Sequence, residues 1–542
     1  MTKPGAKGHI AEGYQLHLAG QFADAEARYR KALREEPNNA NVHNLLGTLL
    51  LQRGETALAA RSLNRALQLG PGSVEILVNL SVAYQNLEQH AEAVESARRA
   101  VALASENADV QCNLGLALTG LGDHQGALAA YKDYLRIKPN EPRAHAAVGN
   151  AYLALDQVDA AVNAWEDALA IDPYYAQAHI GIAEALSVKG WFSGSRALLE
   201  NALAIAPDDP NVQKRLGLFL VQLGDLARGW ALQDKGRFLT EKERVVRRPE
   251  PPPYWAGEDL AGKRILIWTE QGPGDEVLHS SMVLDLIARG AKCTIECSKR
   301  MVPVFARSFP DVPVFGYKTS KVAVTTASDF DYQIAVASLG VFFRADFSAF
   351  PHHRGYLRAD ADKTARFRKA YEQRANGRRI VGISWRTAGK QSAKSTSLLN
   401  LAPILQTQGV WFVNLQYGDC REDLALVREK LGVEIFNDES VDSLKDLDTF
   451  FAQVAAMDLV VSSSNTTVHV AGSQNIPVWM LLHHGRGAPY YWFVGREDSP
   501  WYPSARIFRS LTADMEAWEI EPAQRIAAAL AKWVGDEHMQ KA

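Results

Sequence analysis

A period of 34 residues in the first half of the chain constrains its fold more than any other feature. Small residues recur at one phase of this period: Gly13, Gly47, Ser81, Gly115, Gly149, Ala183 and Gly217. A second set follows twelve positions later: Ala25, Ala59, Ala93, Ala127, Ala161 and Ser195. Prolines recur at the ends of the periods: Pro37, Pro71, Pro139, Pro173 and Pro207. The pattern predicts two helices per period that cross closely at the small residues, with the proline ending the second helix.

This period predicts an α-helical solenoid with six full repeats between about residues 6 and 209. A partial seventh repeat begins at Pro210 and departs from the pattern after Gly224. Helix pairs of this length and spacing resemble the tetratricopeptide (TPR) repeat. The third repeat fits least well, because Glu88 and Ser105 replace its usual glycine and proline.

Solenoids of this kind usually bind a peptide or protein in a concave groove. We therefore expect the first half to recruit a protein partner, and a scaffold that only dimerises or supports the second half is the alternative. The candidate groove residues are asparagines on the first helix of a pair: Asn44, Asn79, Asn113 and Asn150. Asparagine is also common on solvated helix faces, so this prediction depends on where the side chains point.

Composition excludes several classes of function. The 542 residues include 59 Lys and Arg against 62 Asp and Glu, so the net charge of -3 indicates no basic surface for nucleic acid. Four scattered cysteines suit neither a disulfide scaffold nor a zinc site. The N-terminus has lysines but no apolar stretch behind them, so no signal peptide is expected. The uncharged stretch 459–485 carries polar residues that would be costly in lipid, and we expect a cytoplasmic protein without a membrane span.

After a cluster of prolines at 249–253, the pattern changes to alternating strands and helices. Strands are predicted in two sets: 264–268, 292–297 and 332–336, then 380–385, 410–415, 433–435, 458–462 and 478–482. Helices are predicted between them and after them: 301–309, 399–407, 421–431, 447–456, 466–471 and 521–534. Two such sets, separated near 360–378, predict two Rossmann-like α/β lobes with a cleft between them. The predicted organisation has four parts: a solenoid at 1–236, a linker at 237–262, a first lobe at 263–372 and a second lobe at 373–542.

Three segments of the second half carry a resemblance to a known family. Residues 270–275 read Glu-Gln-Gly-Pro-Gly-Asp, which is neither a G-x-G-x-x-G nor a Walker A loop. Residues 458–479 pair an apolar strand with a helix that contains Thr-Thr-x-His, and residues 495–504 read Gly-Arg-Glu-Asp-Ser-Pro-Trp-Tyr-Pro-Ser. The first two resemble the Gly-Asp loop and the donor-binding strand–loop–helix of the heptosyltransferase-like (family 9-like) glycosyltransferases. The third resembles the tail of bacterial proteins that fuse TPR repeats to such a domain.

The resemblance implies a GT-B fold and sugar transfer from a nucleotide-activated donor. TPR repeats before a GT-B domain are also the layout of the O-GlcNAc transferases. The chain is similar as well to the alphaproteobacterial flagellin glycosyltransferases, whose TPR part recruits flagellin. The expected acceptor is therefore a hydroxyl of a protein, with flagellin as the leading candidate.

Asp275 is the leading candidate for the base that acts on the acceptor hydroxyl. It opens a helix after a parallel strand, where the loop faces the cleft, and it matches the family's Gly-Asp position. Glu270 and Glu276 are rival carboxylates. The alternative for Asp275 is an acid that only stabilises the helix N-terminus through the helix dipole.

A helix N-terminus can hold the leaving phosphate through free backbone N–H groups. The candidate donor and phosphate residues follow the strand at 458–462: Ser464, Asn465, Thr466, Thr467 and His469. His469 lies one turn into the helix, where it would donate a hydrogen bond to phosphate or sugar. Plain N-capping by Asn465 is the alternative. The heptosyltransferases carry Asp-Thr where this chain has Asn465-Thr466, so the resemblance does not identify the sugar.

Cations and polar groups at two further strand ends complete the predicted donor site. Arg386 is the first choice to neutralise the phosphate, followed by Lys390 and Lys394, and a solvated loop is the alternative for either lysine. Gln416 and Tyr417 lie where the family places contacts to the nucleotide base.

We expect a metal-independent glycosyltransferase with a nucleotide sugar as substrate and no other cofactor. The D-x-D pairs at 329–331 and 360–362 do not end the expected catalytic strand. One alternative acceptor is a lipid-linked or polysaccharide glycan, although solenoid grooves suit polypeptides better. The other alternative is a non-catalytic TPR adaptor with a degenerate GT-B domain, favoured by the missing Asp at position 465 and opposed by the retained Gly274-Asp275.

Overall fold

A computed structural model describes residues 5–240, 251–269, 272–317, 329–387, 395–484, 488–511 and 518–538. In these residues, helices precede the first strand in the following order: α1 (Ala6–Leu18), α2 (Phe22–Glu35), α3 (Ala40–Gln52), α4 (Thr56–Leu69), α5 (Val74–Asn86), α6 (His90–Leu103), α7 (Ala108–Leu121), α8 (His124–Ile137), α9 (Pro142–Ala154), α10 (Val158–Ile171), α11 (Ala176–Val188), α12 (Phe192–Ile205), α13 (Pro210–Leu223) and α14 (Leu226–Thr240). They confirm the predicted series of helix pairs.

The small residues of the period lie where the two helices of a pair cross. A methyl group added at Gly47 on α3 would lie 2.6 Å from Leu63 on α4. One added at Gly149 on α9 would lie 2.7 Å from the Trp165 ring on α10. Bulky residues therefore pack onto the glycines, which explains why larger side chains are excluded from this phase.

A second periodic contact fastens the turns between repeats. A side chain on the first helix hydrogen-bonds the carbonyl oxygen six residues before it, at 2.6–3.0 Å. The pairs are His43 with Pro37, Gln111 with Ser105, His145 with Pro139, His179 with Pro173 and Gln213 with Pro207. The third repeat keeps this contact at Ser105 although it lacks the proline.

The chain divides into two compact units, Met1–Ala185 and Leu186–Ala542. The second unit contains α12 to α14 together with all the described strands. Its helices α13 and α14 form a complete pair with close backbone contact, since a methyl group at Gly229 would lie 2.7 Å from the Val221 nitrogen. The seventh repeat, which the sequence shows only in part, is thus a full helical hairpin.

The second unit holds two parallel sheets. The first has the order β3-β2-β1-β4, with β1 (Arg264–Trp268), β2 (Lys292–Cys297), β3 (Val314–Gly316) and β4 (Tyr332–Ala335). The second has the order β6-β5-β7-β8-β9, with β5 (Arg379–Ser384), β6 (Val410–Asn414), β7 (Leu459–Ser463), β8 (Val478–Leu482) and β9 (Ala505–Arg509). The accompanying helices are α15 (Pro273–Ser280), α16 (Val283–Ala288), α17 (Val302–Ser308), α18 (Gly340–Phe343), α19 (Ala361–Ala375), α20 (Ala402–Leu405), α21 (Arg421–Leu431), α22 (Leu447–Ala455), α23 (Thr466–Ser473) and α24 (Ile520–His538).

Several elements differ from the sequence prediction. Strands β3 and β9 and helix α19 were not predicted, and α19 occupies the segment predicted to separate the lobes. The helix predicted at 399–407 is a 3-10 turn, Leu398–Leu401, followed by the short α20. The strand predicted at 433–435 is replaced by an isolated bridge between Val413 and Phe436.

Trp230 of α14 is part of the core of the second unit. Its indole nitrogen donates to the Arg344 carbonyl oxygen at 3.0 Å, and its ring lies against Gly340. The same buried cluster contains Ile265 of the first sheet and Val478 of the second. The last repeat helix therefore shares one hydrophobic core with both sheets.

Candidate functional site

Two helix N-termini meet at the carboxyl ends of the parallel strands. Helix α15 follows β1 and α23 follows β7, so both begin at the edge where ligands of parallel α/β sheets bind. The two helices lie close together at Gly274 in the first turn of α15. A methyl group there would lie 3.0 Å from His469 Cδ2, 3.5 Å from His469 Nε2 and 3.7 Å from Thr466 Oγ1. The absent side chain of Gly274 thus lets the first turn of α15 pack against Thr466 and His469.

Asp275 lies half-buried in the first turn of α15. Burial raises the pKa of Tyr491 and of Tyr502, and the negative charge of Asp275 adds to both shifts. Its carboxylate is therefore close to the aromatic residues that surround His469. Its role as the base stays a prediction.

Glu276, the predicted rival of Asp275, points into the first lobe. It accepts hydrogen bonds from Thr269 Oγ1 at 2.7 Å and from the Ser298 nitrogen and hydroxyl at 3.1 and 2.8 Å. Burial raises the pKa of the Glu276 carboxyl despite these bonds. The structure thus corrects the prediction, because Glu276 fastens the ends of β1 and β2 and does not reach the cleft. Glu270, the other rival, lies outside the described residues.

His469 is held on three sides by aromatic residues. Its Nδ1 lies 2.9 Å from the Tyr502 hydroxyl, and its ring stacks on Trp492 with centroids 5.5 Å apart. Tyr491 meets the imidazole edge-on at 5.2 Å. Trp492 also donates from its indole nitrogen to Ser464 Oγ at 2.8 Å. One aromatic segment therefore fixes both Ser464 and His469.

Asn465 is the N-cap of α23, as the capping alternative predicted. Its Oδ1 accepts from the Thr467 nitrogen at 2.9 Å and from Ser462 Oγ at 3.1 Å. Its Nδ2 donates to Ser384 Oγ at 2.7 Å and to the Arg386 carbonyl oxygen at 3.2 Å. These contacts use the full hydrogen-bonding capacity of the amide. The predicted contact of the Asn465 side chain with donor phosphate is therefore corrected to a structural role.

Some hydroxyl groups around the start of α23 make fewer hydrogen bonds than the Asn465 amide does. Thr467 Oγ1 and Ser463 Oγ are buried and have no hydrogen-bond partner within the described part of the chain. Thr466 is half-exposed beside Gly274. Buried hydroxyls normally find partners, so these groups suit a bound anion or ordered water.

Gln416 is used by the fold at the ends of β5 and β6. Its Oε1 accepts from Ser384 Oγ and from the backbone nitrogens of Trp385 and Arg386, at 2.9–3.1 Å. Its Nε2 donates to the carbonyl oxygens of Arg386 and Tyr417. The predicted nucleotide contact of Gln416 is thus replaced by a structural one, whereas Tyr417 stays half-buried in the loop.

Arg386 turns its side chain toward the start of α21. Its Nη1 forms an ion pair with Asp423 at 3.1 Å, and its Nη2 donates to the Asp419 carbonyl oxygen. The guanidinium predicted to neutralise phosphate is therefore paired within the protein. Lys390 and Lys394 lie outside the described residues.

The predicted groove asparagines of the first unit have different environments. Asn44 is buried and donates to Glu75 at 2.8 Å, and Asn79 donates to Asn44 and Thr48 at 3.3 and 3.1 Å. Asn113 is also buried, and its Oδ1 finds no partner among the residues described. Asn150 is exposed. Asn44 and Asn79 thus link neighbouring repeats, and the groove role of the four asparagines stays a prediction.

Sequence reasoning missed the residues that hold His469. Tyr502 lies in the segment 495–504, which was used for the family resemblance but given no role. Tyr491 and Trp492 belong to a segment without a recognisable pattern. The available signal was the sequence Trp-Tyr-Pro at 501–503. A tyrosine between a tryptophan and a proline is often buried, and a buried tyrosine hydroxyl usually has a hydrogen-bond partner.

Two further features are absent from the described residues, a metal-binding cluster and a membrane-spanning helix. No group of three or more His, Cys, Asp or Glu side chains there is placed to hold a metal ion. Among the helices described, none combines the length and apolar character needed to cross a membrane.

Comparison with known proteins identifies the repeats. Models of the tetratricopeptide repeat match residues 19–74, 78–142 and 152–216, so the chain carries TPR repeats as predicted. The chain is 36% identical to Protein FlbA of Caulobacter vibrioides over 326 residues. The aligned region covers 57% of this chain and 53% of FlbA. The chain thus spans about half the length of the curated relative it matches.

Solved structures with similarity to the chain include two repeat proteins. The MamA protein is 29% identical to this chain, with a TM-score of 0.30, and the aligned region covers 32% of this chain and 94% of the MamA chain. A tetratricopeptide repeat protein from Parabacteroides merdae is 18% identical to this chain, with a TM-score of 0.42, and the aligned region covers 44% of this chain and 95% of that protein.

Proposed function

We propose that the chain is a glycosyltransferase that moves a sugar from a nucleotide-activated donor onto a hydroxyl of a protein recruited by its TPR repeats. The observation that carries this proposal is the meeting of the N-termini of α15 and α23, where Gly274, next to Asp275, packs against Thr466 and His469. Helix N-termini favour anions, which suits the diphosphate that leaves the sugar. Two parallel sheets in one compact unit are consistent with the GT-B architecture that the resemblance implies.

In this proposal Asp275 takes the proton of the acceptor hydroxyl. It is a half-buried carboxylate beside His469, whereas Glu276 is committed to Thr269 and Ser298. The backbone N–H groups and hydroxyls at the start of α23 receive the leaving phosphate. Such a site stabilises negative charge without requiring a metal ion.

The acceptor is proposed to be a protein because TPR repeats bind polypeptides. The choice of flagellin rests on the resemblance of the sequence to flagellin glycosyltransferases. The similarity to FlbA covers about half of that relative and does not identify a partner.

A non-catalytic adaptor is the second candidate function. It is favoured by the internal use of predicted ligand groups, since Asn465 and Gln416 are fully hydrogen-bonded and Arg386 is paired with Asp423. A panel of nucleotide sugars, tested by thermal shift on the full chain, separates the two functions. Stabilisation by one donor supports a transferase, whereas no stabilisation by any donor supports the adaptor.

The transferase proposal predicts that Asp275→Asn abolishes transfer. General-base removal typically costs a factor of about 10²–10⁴ in rate. The measurement is the intact mass of flagellin coexpressed with each variant. Asp311→Asn, an exposed acid before β3 at the opposite edge of the first sheet, is the matched control and should transfer normally. Normal transfer by Asp275→Asn would exclude Asp275 as the base.

A further inference from the structure

Residues 488–494 form a segment without helix or strand that lies against the start of α23. Trp492 in this segment donates from its indole nitrogen to Ser464 Oγ at 2.8 Å and stacks on the His469 ring. Tyr491 meets the same ring edge-on. Because the segment belongs to no helix or sheet, its position depends on contacts with neighbouring elements. Those contacts decide where Trp492 holds Ser464 and His469.

Gln222, in the last turn of α13, contacts both ends of the 488–494 segment. Its carbonyl oxygen accepts from the Val494 nitrogen at 2.9 Å, and its Nε2 donates to the Ala488 carbonyl oxygen at 3.5 Å. The Gln222 carbonyl is among the last four of the helix, which have no acceptor role inside it and remain available to other donors. One residue of the seventh repeat therefore fastens the segment at its beginning and at its end.

The repeat period shows that this use of Gln222 is particular to the seventh repeat. Gln52 and Asn86 lie at the same phase of the 34-residue period in the second and third repeats. Both are exposed, whereas Gln222 is 7% exposed. The position that the second and third repeats leave open is thus occupied, in the seventh, by a segment of the same chain.

The middle of the 488–494 segment has two further attachments. Tyr490 meets the Trp230 ring of α14 edge-on, with centroids 5.9 Å apart. Arg509, at the end of β9, donates from Nη2 to the carbonyl oxygens of Trp492 and Phe493 at 3.1 and 3.0 Å. The segment is therefore held by the seventh repeat and by the edge strand of the second sheet.

We propose that Gln222 is a positioning residue of the candidate site, which holds the 488–494 segment where Trp492 contacts α23. The seventh repeat is then part of the site and not only a connection between the solenoid and the sheets. In a glycosyltransferase this arrangement couples a repeat helix to the groups that bind the donor, and this part rests on the proposed function. A displacement of α13 reaches Ser464 through two direct contacts, at Gln222 and at Trp492.

The competing arrangement has Arg509 hold the segment by itself. Its guanidinium is charged and bonds two carbonyl oxygens, whereas the Gln222 side chain makes one longer bond. In that case a substitution of Gln222 leaves Trp492 in place. The two arrangements differ in whether Trp492 responds to a change on α13, which can be measured directly.

The test is NMR of the indole N–H groups in the full chain labelled with ¹⁵N-tryptophan, without any nucleotide or acceptor. Trp492 is assigned by the signal that disappears in Trp492→Phe, and Ser464→Ala gives the position of this signal without its hydrogen bond. Gln222→Met cannot donate to Ala488, and Gln222→Glu places an oxygen opposite the Ala488 carbonyl oxygen. We expect both to move the Trp492 signal toward its position in Ser464→Ala, with the larger shift for Gln222→Glu.

Gln52→Met is the matched control, because it changes the same residue type at the same phase of the second repeat. It loses the contact with His17 and should leave the Trp492 signal in place. An unchanged Trp492 signal in both Gln222 variants would overturn the proposal and leave Arg509 as the residue that holds the segment. If Gln222→Glu fails to fold, Gln222→Met decides alone. Because neither donor binding nor transfer is measured, this result is independent of whether the chain is a glycosyltransferase.

Discussion

Neighbouring carboxylates at the start of α15 serve different purposes because their surroundings differ. Asp275 stays half-buried at the helix N-terminus, whereas Glu276 turns inward to Thr269 and Ser298. The sequence offers both as acids in one helical turn, and only the hydrogen-bond partners separate them. Those partners are the residues directly after β1 and β2, so local sequence patterns do not reveal them.

Glu276 provides a prediction about pH. Burial raises the pKa of Glu276 in the folded state, so its contribution to stability is complete below its unfolded pKa and is lost as pH rises through the folded value. Glu276→Gln cannot ionise. The difference in melting temperature, variant minus wild type, should therefore increase between pH 4 and pH 7. Thermal unfolding at several pH values measures it.

Glu439→Gln, an exposed residue of the second lobe, is the control for this measurement and should show no such trend. A difference for Glu276→Gln that stays constant with pH would mean that the folded pKa of Glu276 is not raised.

Elements with a strong local pattern are the ones that the sequence predicts well. Helix α21 and strands β1, β2 and β8 have the predicted bounds, because apolar runs or amphipathic spacing mark them. Strand β9 is a short edge strand with two arginines among its five residues, and α19 is largely solvated, so neither stands out in sequence. Their positions depend on pairing with β8 and packing on α22, which are tertiary contacts.

The junction of α15 and α23 predicts the effect of a single methyl group. Gly274→Ala would place its Cβ 3.0 Å from the His469 ring, which is held by Trp492 and Tyr502. Because the ring cannot move away, the two helices must separate, at a cost of about 1–3 kcal/mol. Urea unfolding should show a lower midpoint.

Gly272→Ala is the matched control two residues earlier. Its Cβ would meet Asp275 at an ordinary 3.9 Å, and its backbone conformation suits alanine. Its effect should stay within about 0.5 kcal/mol. Equal stability of the two variants would show that α15 and α23 are not in close contact.

At the scale of the molecule, the last repeat helices belong with the sheets. The compact units divide at residues 185 and 186, inside the repeat region, although the period runs on to Gly217. Trp230 explains this division, because its indole is buried against Gly340, Tyr490 and Trp501 in the core of the second unit. The repeat period is a local property and does not reveal which core a helix joins.

Trp230→Ala should therefore destabilise the second unit, by about 3–5 kcal/mol for a large buried aromatic residue. Trp191→Ala, in the same repeat region, removes an indole that is 63% exposed and should have little effect. For each variant of the full chain, partial unfolding in urea followed by limited proteolysis measures how readily the region 251–542 is cleaved. Similar proteolysis of the two variants would show that Trp230 does not stabilise the sheets.

The sequence by itself determined the helix pairs and most of the strands. The spacing of small residues marks each helix pair, and a short apolar run marks each strand, so both signals are contained in a continuous segment of the chain. It also located the two loops that meet at the candidate site, since each follows a buried parallel strand. Only the tertiary structure decided which polar side chains remain for a ligand. Asn465 and Gln416 are used up by partners from β5 and its loop, and His469 is held by Tyr502 from a later segment. The physical reason is that a buried hydrogen bond requires its partner to be nearby in space, and these partners are distant in sequence.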